Sequence, residues 1–140
     1  MTLEPPPESS QVAPGSINVT EALETLPFLL STLEKALAKE IEALDRAKRN
    51  LEIQKAIVTV ENADAKNQRM LEAKIIADQR VQTCEDEVVA AKGKVAEARI
   101  DLSEAENAFC SARKLASLQN TLSPIRLSSR LLEAIRPHIS

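Results

Sequence analysis

The sequence predicts an all-α protein that folds as a long antiparallel helical hairpin of the coiled-coil type, with short N- and C-terminal helices and no strands. Between positions 77 and 116, bulky residues recur every seven positions and small ones follow three later, which is a heptad pattern. A second heptad repeat precedes it, beyond a polar interval. The chain has only two Phe, no Trp and no Tyr, whereas compact cores draw much of their buried area from aromatic side chains.

The helix-packing seam is predicted from these two repeats. Small residues at alternate core positions let helices approach closely, towards the lower end of the usual range of about 8–10 Å. The first helix contributes Leu30, Leu37, Leu44, Leu51 and Val58, and the second contributes Val81, Val88, Ala91, Val95, Ala98, Leu102, Ala105, Phe109 and Ala112.

The N-terminal part of the chain changes character near residue 17. Residues 1–16 contain four prolines and few apolar side chains, which predicts a disordered acidic tail. A proline-rich ligand is the alternative interpretation of the Pro5-Pro6-Pro7 run. The hairpin domain is assigned to residues 17–120, and it begins where Asn18 and Glu21 have capping-box spacing.

Two features are expected to interrupt the helices of the predicted hairpin. Pro27 lacks an amide hydrogen, so a short first helix is expected to stop or kink at Leu26 and a long one to follow. The apolar repeat then disappears over residues 59–69, and the register changes by an amount that a continuous coiled coil does not absorb. We therefore expect a chain reversal, with Asn62 or Asp64 capping the next helix.

That next helix is predicted to run without a break over residues 64–118. It would be roughly 80 Å long against roughly 50 Å for residues 27–60, so part of it would lack a partner helix. The short terminal helices or a second subunit would have to cover the excess. A two-helix hairpin also buries little surface for its ordered length. The sequence therefore predicts a homo-oligomer.

Residues 121–140 form a separate amphipathic C-terminal segment after a break at Asn120, Ser123 and Pro124. Packing back onto the helices, docking onto a partner protein and binding an anionic membrane surface are its three interpretations. Its basic character and its different register favour a segment separable from the bundle. The possible partner-binding residues are Ile125, Leu127, Arg130, Leu131 and Ile135.

The residues offer little chemistry, and no catalytic, cofactor-binding or metal site is predicted. His138 is the only histidine and lies near the C-terminal end, where disorder is common. Cys84 and Cys110 fall on one predicted helix, too far apart to bridge each other. The carboxylates at 85–87 point about 100° apart and do not converge. A non-enzymatic protein is expected.

Charge and hydropathy set the expected partners and location. The net charge is −3 with both signs interspersed, which argues against nucleic-acid binding. Binding of nucleic acid through Arg126, Arg130 and Arg136 is the weakest alternative. No run of eighteen apolar residues occurs, and the N-terminus does not have the pattern of a signal peptide. We expect a soluble, cytoplasmic protein that does not bind membranes.

The layout of residues 33–118 resembles small alanine-rich helical coiled-coil proteins of tailed bacteriophages. The resemblance lies in a leading helix, a polar break and an alanine-rich helix that ends in the phrase FCSARKLASL at residues 109–118. It implies a protein without an assigned activity, located in the cytoplasm of a bacterial host cell. A host defence or replication protein is the implied partner.

Two functional hypotheses follow from the sequence. The first is a non-enzymatic helical interaction protein that self-associates and binds another protein of unknown identity, as a phage accessory or anti-host factor. The alternative is a structural coiled-coil subunit of a larger assembly, a tether or a virion-associated component, whose long helices pair with different chains.

Overall fold

The computed structural model describes residues 15–139, so the predicted tail lies outside the described residues except for Gly15 and Ser16. The fold is mostly helical, as predicted, and its two longest helices pack together. In chain order the elements are β1 (Ser16–Ile17), α1 (Val19–Glu61), α2 (Gln68–Ala77), α3 (Gln79–Ser117), β2 (Ile125–Arg126) and α4 (Ser129–Ile135), followed by a 3-10 turn at Arg136–His138.

The chain divides into two compact units. The terminal unit contains the described residues up to Glu34 together with those from Ile100 onwards, and the central unit is Lys35–Arg99. Both units contain a part of α1 and a part of α3.

The start of α1 is fixed by the predicted capping box, which the structure confirms. The Glu21 amide donates to Asn18 Oδ1 at 2.8 Å, and the Asn18 amide donates to Glu21 Oε1 at 3.3 Å. These reciprocal bonds satisfy amides that have no partner within the helix. The helix therefore begins at Val19, directly after its cap.

The prediction that a first helix stops at Leu26 is wrong. Pro27 lies inside α1, which continues unbroken to Glu61. An interior proline costs about 3 kcal/mol because it removes one backbone hydrogen bond and crowds the preceding turn. Leu26 and Leu29 on either side of it are buried. Burying a leucine side chain contributes about 1.5–3 kcal/mol, so the two together offset the proline.

In the central unit the chain reverses, as predicted. Val58 of α1 and Val81 of α3 are both fully buried. Asn50 Nδ2 lies 3.5 Å from Cys84 Sγ, and Arg80 near the start of α3 is paired with Glu61 at the end of α1. These contacts place the two helices side by side in opposite directions.

The second half of the predicted hairpin is not one helix from 64 to 118. The turn after α1 leads into α2, which Asn67 caps by accepting a hydrogen bond from the Met70 amide at 2.9 Å. The predicted caps Asn62 and Asp64 are therefore wrong. Asp78 then interrupts the helix with an extended ψ of 127°. Its Oδ1 accepts from the Arg80 amide at 2.9 Å, so the residue whose backbone ends α2 also caps the start of α3 with its carboxylate.

The predicted mismatch in helix length is also wrong. Because α1 continues through Pro27 and α3 begins only after Asp78, the two helices contain 43 and 39 residues. The helical length in α1 and in α3 is therefore similar, and the excess helix that was expected to extend α3 is instead the separate ten-residue α2, which has no buried residue.

The end of α3 is a Schellman motif, although the chain offers no glycine there. The Asn120 amide donates to the Leu115 carbonyl at 2.8 Å and the Gln119 amide to the Ala116 carbonyl at 3.0 Å. Gln119 has a φ of +57° and takes the left-handed position that glycine usually occupies. The predicted break after the long helix is confirmed.

A two-stranded antiparallel ribbon corrects the prediction that the protein has no strands. Ser16 lies opposite Arg126 and Ile17 opposite Ile125. Each strand contains only two residues, too few to show an alternating pattern in the sequence. The ribbon joins the segment before α1 to the segment after α3, and it buries Ile17 and Ile125.

The core of the terminal unit contains residues from both strands and from α1, α3 and α4. Large side chains from α1 and α4 pack with small ones from α3, and the ribbon closes the cluster. Leu26, Leu131 and Ile135 are among the most deeply buried side chains. The buried residues of this cluster are Ile17, Val19, Ala22, Leu26, Leu29, Ala105, Ala108, Ala112, Ile125, Leu127, Leu131 and Ile135.

The core predicts that alanine substitutions at two leucines of the C-terminal segment will change the free energy of unfolding by very different amounts. Leu131 is 2% exposed and Leu122 is 88% exposed. Leu131→Ala should lower the free energy of unfolding by about 2–5 kcal/mol, because it removes buried methyl groups and leaves a cavity. Leu122→Ala is the matched control and should change it little. Urea denaturation followed by circular dichroism measures both, and equal midpoints would contradict the packing of α4.

Candidate functional site

The predicted seam residues lie on the inner sides of α1 and α3, and none of the fourteen is exposed. Val58, Val81, Val88, Val95, Ala105 and Ala112 are buried, whereas Leu30, Leu37, Leu44, Leu51, Ala91, Ala98, Leu102 and Phe109 are half-buried. The structure adds Cys84 and Ala108 to the buried set. This face holds the fold together and is not available to a partner.

The predicted partner-binding residues lie in the terminal unit. Ile125, Leu127, Leu131 and Ile135 are buried in its core, which corresponds to the interpretation in which the segment packs onto the helices. Arg130 alone is exposed, and its guanidinium donates to Asp101 Oδ1 at 2.6 Å. In this fold the four apolar residues stabilise the terminal unit and do not form an exposed docking face.

Polar contacts hold the C-terminal segment to α3. Ser128 caps α4, since its Oγ accepts from the Leu131 amide at 3.4 Å. The Ser128 amide donates to Glu104 Oε2 at 2.7 Å, and Arg130 pairs with Asp101 one turn earlier on α3. Two carboxylates on one side of α3 therefore accept hydrogen bonds from residues at the start of α4.

An ion-pair cluster lies at the reversal in the central unit. Arg80 donates from Nη1 to Glu61 Oε1 at 3.0 Å and also pairs through Nη2 with Glu61 Oε2. On its other side it donates from Nε and Nη2 to the two oxygens of Asp78, each at 3.1 Å. This planar, two-sided pairing suits arginine and would not be reproduced by lysine.

The cluster shifts the ionisation of its members. Hydrogen bonds from Arg80 hold the pKa of Glu61 below its ordinary value. They also lower the pKa of Asp78, with help from the backbone amides of Arg80 and Val81. The paired carboxylates in turn raise the pKa of Arg80. Glu61 and Arg80 are exposed to solvent and Asp78 is half-buried, so salt should weaken the cluster.

The residues with reactive side chains do not converge on one site. His138 lies in the 3-10 turn rather than in a disordered end, and its ring centroid is 5.0 Å from that of Phe28. Cys84 is buried and Cys110 is exposed, and both are free thiols. Among residues 15–139, no group of three His, Cys, Asp or Glu side chains could hold a metal ion. No helix in this range is long and apolar enough to cross a membrane.

An apolar surface lies on the outer side of α1 in the central unit. It consists of Ile53, Ala56, Ile57 and Val60, and we call it the outer strip. Ile53 is 55% exposed and Val60 is 75% exposed. Glu61 borders the strip at its C-terminal end.

A second surface is an open groove of about 610 Å³ in the terminal unit, between α3 and the segment that leads into β2. Ala108 and Ile125 are its buried residues, and polar and charged side chains occupy its rim. The groove is lined by Glu104, Asn107, Ala108, Ser111, Lys114, Leu115, Leu118, Pro124, Ile125 and Arg126.

Sequence reasoning missed both surfaces, for different reasons. The outer strip was detectable, because Ile53, Ile57 and Val60 have helical i, i+4, i+7 spacing outside the seam register. The groove was not detectable, because one of its walls exists only where the ribbon forms.

No protein-family model matches this chain, and no curated protein or solved structure is similar enough to it to count as a match. The geometry of the two surfaces therefore carries the functional interpretation.

The ion-pair cluster predicts a pH-dependent effect of removing Arg80. Carboxylates with a lowered pKa contribute stability above their ordinary pKa near 4, and this contribution is lost as the pH falls through the lowered values. Arg80→Gln should therefore lower the melting temperature at pH 7, and the difference from the native chain should disappear in acid.

The control for this prediction is Arg69→Gln, which removes an exposed arginine of α2 that has no ion pair among the described residues. Thermal melts of both variants between pH 2 and pH 7 measure the effect. A melting difference for Arg80→Gln that is the same at every pH would contradict an electrostatic role of the cluster.

Proposed function

We propose that this protein is a non-enzymatic helical interaction protein that self-associates through the outer strip and binds another protein at a separate surface. The observation that carries the proposal is the exposure of Ile53 and Val60 on a regular helix whose opposite side already packs against α3. Exposed apolar clusters at helical spacing commonly mark interaction sites.

The spacing of the strip suits a second helix. Arg46, Arg49, Ile53, Ala56 and Val60 follow one another at intervals of three and four residues, which is a heptad pattern on the outer side of α1. Its apolar part is short. We therefore expect a weak, concentration-dependent association in place of an obligate dimer.

The charges around the strip favour a second copy of this chain in antiparallel orientation. Arg46 and Arg49 lie before the strip, whereas Asp64 lies after it, beyond Glu61, which is already paired with Arg80. An antiparallel copy brings the basic end of each strip to the acidic end of the other, and a parallel copy brings like charges together. Such a self-complementary patch fits a two-fold symmetric dimer.

The alternative function, a structural subunit of a larger assembly, has one observation in its favour. Met70 and Ile76 of α2 and Val89 of α3 also expose apolar side chains in the central unit, so α1 is not alone in offering an apolar surface. A phage accessory or anti-host role, with a host defence or replication protein as partner, stays a prediction from the resemblance.

Self-association predicts that Val60→Glu shifts the full chain towards the monomer in sedimentation velocity across a range of concentrations. The substitution introduces a charge into the proposed contact at a position that is 75% exposed, so the fold should tolerate it. Val89→Glu is the matched control, because Val89 is 67% exposed on α3. It should leave the association unchanged.

Charge reversal tests the orientation. Arg49→Glu should weaken self-association, and adding Asp64→Arg to it should restore the association. A native chain that is monomeric at every concentration would overturn the proposal. Equal effects of Val60→Glu and Val89→Glu, or large polymers that neither variant disperses, would favour the structural-subunit alternative.

A further inference from the structure

We propose that the groove of the terminal unit binds an extended acidic peptide of another protein. This inference deepens the partner-binding half of the proposed function and rests on it. The groove shares no residue with the outer strip, so the two surfaces can be tested separately.

Within residues 15–139, no strand pairs with the edge of β2 that is opposite β1. The Leu127 amide donates to the Gly15 carbonyl at 3.0 Å, which makes these two residues a hydrogen-bonded pair of the ribbon. Opposed residues in an antiparallel ribbon alternate between hydrogen-bonded and non-hydrogen-bonded pairs. Arg126, opposite Ser16, therefore belongs to a non-hydrogen-bonded pair. Its amide and its carbonyl point away from β1.

The edge that carries these groups faces α3. Ser128 is two residues further along, so its amide points to the same side as that of Arg126. That amide donates to Glu104 Oε2 of α3 at 2.7 Å. Glu104 and Arg126 both line the groove, so the edge of β2 that carries the amide and the carbonyl of Arg126 borders it. An extended peptide can form main-chain hydrogen bonds with such an edge.

The charge of the groove selects an acidic peptide. Lys114 and Arg126 are exposed on its rim and have no ion-pair partner among the described residues. Of the described residues that line the groove, Glu104 is the only acid, and it accepts the Ser128 amide. Two cations and one carboxylate give the groove lining an excess of positive charge, which favours carboxylates on the ligand.

The apolar lining sets a second requirement. Ala108 and Ile125 are buried beneath the groove, and Leu115 and Leu118 line its other end. Side chains of an extended peptide alternate between two faces. A peptide that alternates acidic and apolar residues can therefore direct its apolar side chains to Ala108 and Leu115 and its carboxylates to the rim.

The test measures binding of a fluorescein-labelled peptide of alternating glutamate and valine to the full chain by fluorescence anisotropy. Lys114→Glu and Arg126→Glu should each weaken binding by about tenfold or more, the usual effect of losing a hydrogen bond to a charged group. Lys94→Glu is the matched control, because it makes the same charge change on α3 outside the groove lining. Thermal melts should show that all three variants remain folded.

Two modified probes test the remaining requirements. A peptide of alternating lysine and valine should not bind, because its charges match those of the rim. The glutamate–valine peptide with N-methylated amides at every residue should bind more weakly, because the methyl groups block its main-chain hydrogen bonds to the Arg126 carbonyl in either register. Equal binding of the methylated and unmethylated peptides would overturn the pairing along β2.

Other outcomes would overturn the proposal as a whole. These are absence of saturable binding by the full chain, or equal weakening by Lys94→Glu. Binding that appears only after deletion of residues 1–14, which include Glu4 and Glu8, would instead assign the groove to this chain's own acidic segment. Peptide binding should persist in Val60→Glu. If the native chain self-associates but does not bind the peptide, the proposal for the groove is refuted and the proposal for the outer strip still stands.

Discussion

The packing of small α3 side chains in the terminal core is the constraint on which the rest of the structure depends. Ala105 and Ala112 are fully buried, and Ala108 is nearly so. Alanine at these positions leaves space above the helix backbone that leucines and isoleucines from other elements fill. Larger residues there would force the elements apart, at a typical cost of about 1–3 kcal/mol for each overpacked site.

That space is what allows the C-terminal segment to become part of the fold. Leu131 and Ile135 of α4 enter the same cluster as Leu26 of α1, and the ribbon adds Ile17 and Ile125. Residues far apart in the sequence thereby share one core. The same packing fixes the path of the chain from Pro124 to Ser128, and that path determines where the Arg126 backbone points and what lines the groove.

The local part of the fold was predictable, because its signals are local. The capping box at Asn18 and Glu21 and the chain reversal after Val58 both follow from residue types at short spacing. The Asp78 break had a signal of the same kind, an aspartate two residues before the arginine whose amide it binds. The heptad repeat that follows Asp78 favoured a continuous helix, so the sequence did not predict a break at this aspartate.

The remainder depended on tertiary packing. Pro27 stays within α1 because Leu26 and Leu29 are buried beside it, which a helix-breaking rule does not include. The two-residue strands exist only because each finds the other across more than a hundred positions of sequence. Of the two candidate surfaces, the outer strip follows from the spacing within one helix. The groove requires the ribbon and could not be derived.

Hydrogen exchange of the native chain tests the shared core of the terminal unit most directly. Residues that belong to one cooperative unit open with a common free energy and respond alike to mild denaturant. Amides of α4 should therefore exchange with the same opening free energy as those around Leu26 in α1. The opening free energies of the two groups should decrease in parallel as denaturant is added. Rapid exchange of α4 while the start of α1 remains protected would contradict a core built from both ends of the chain.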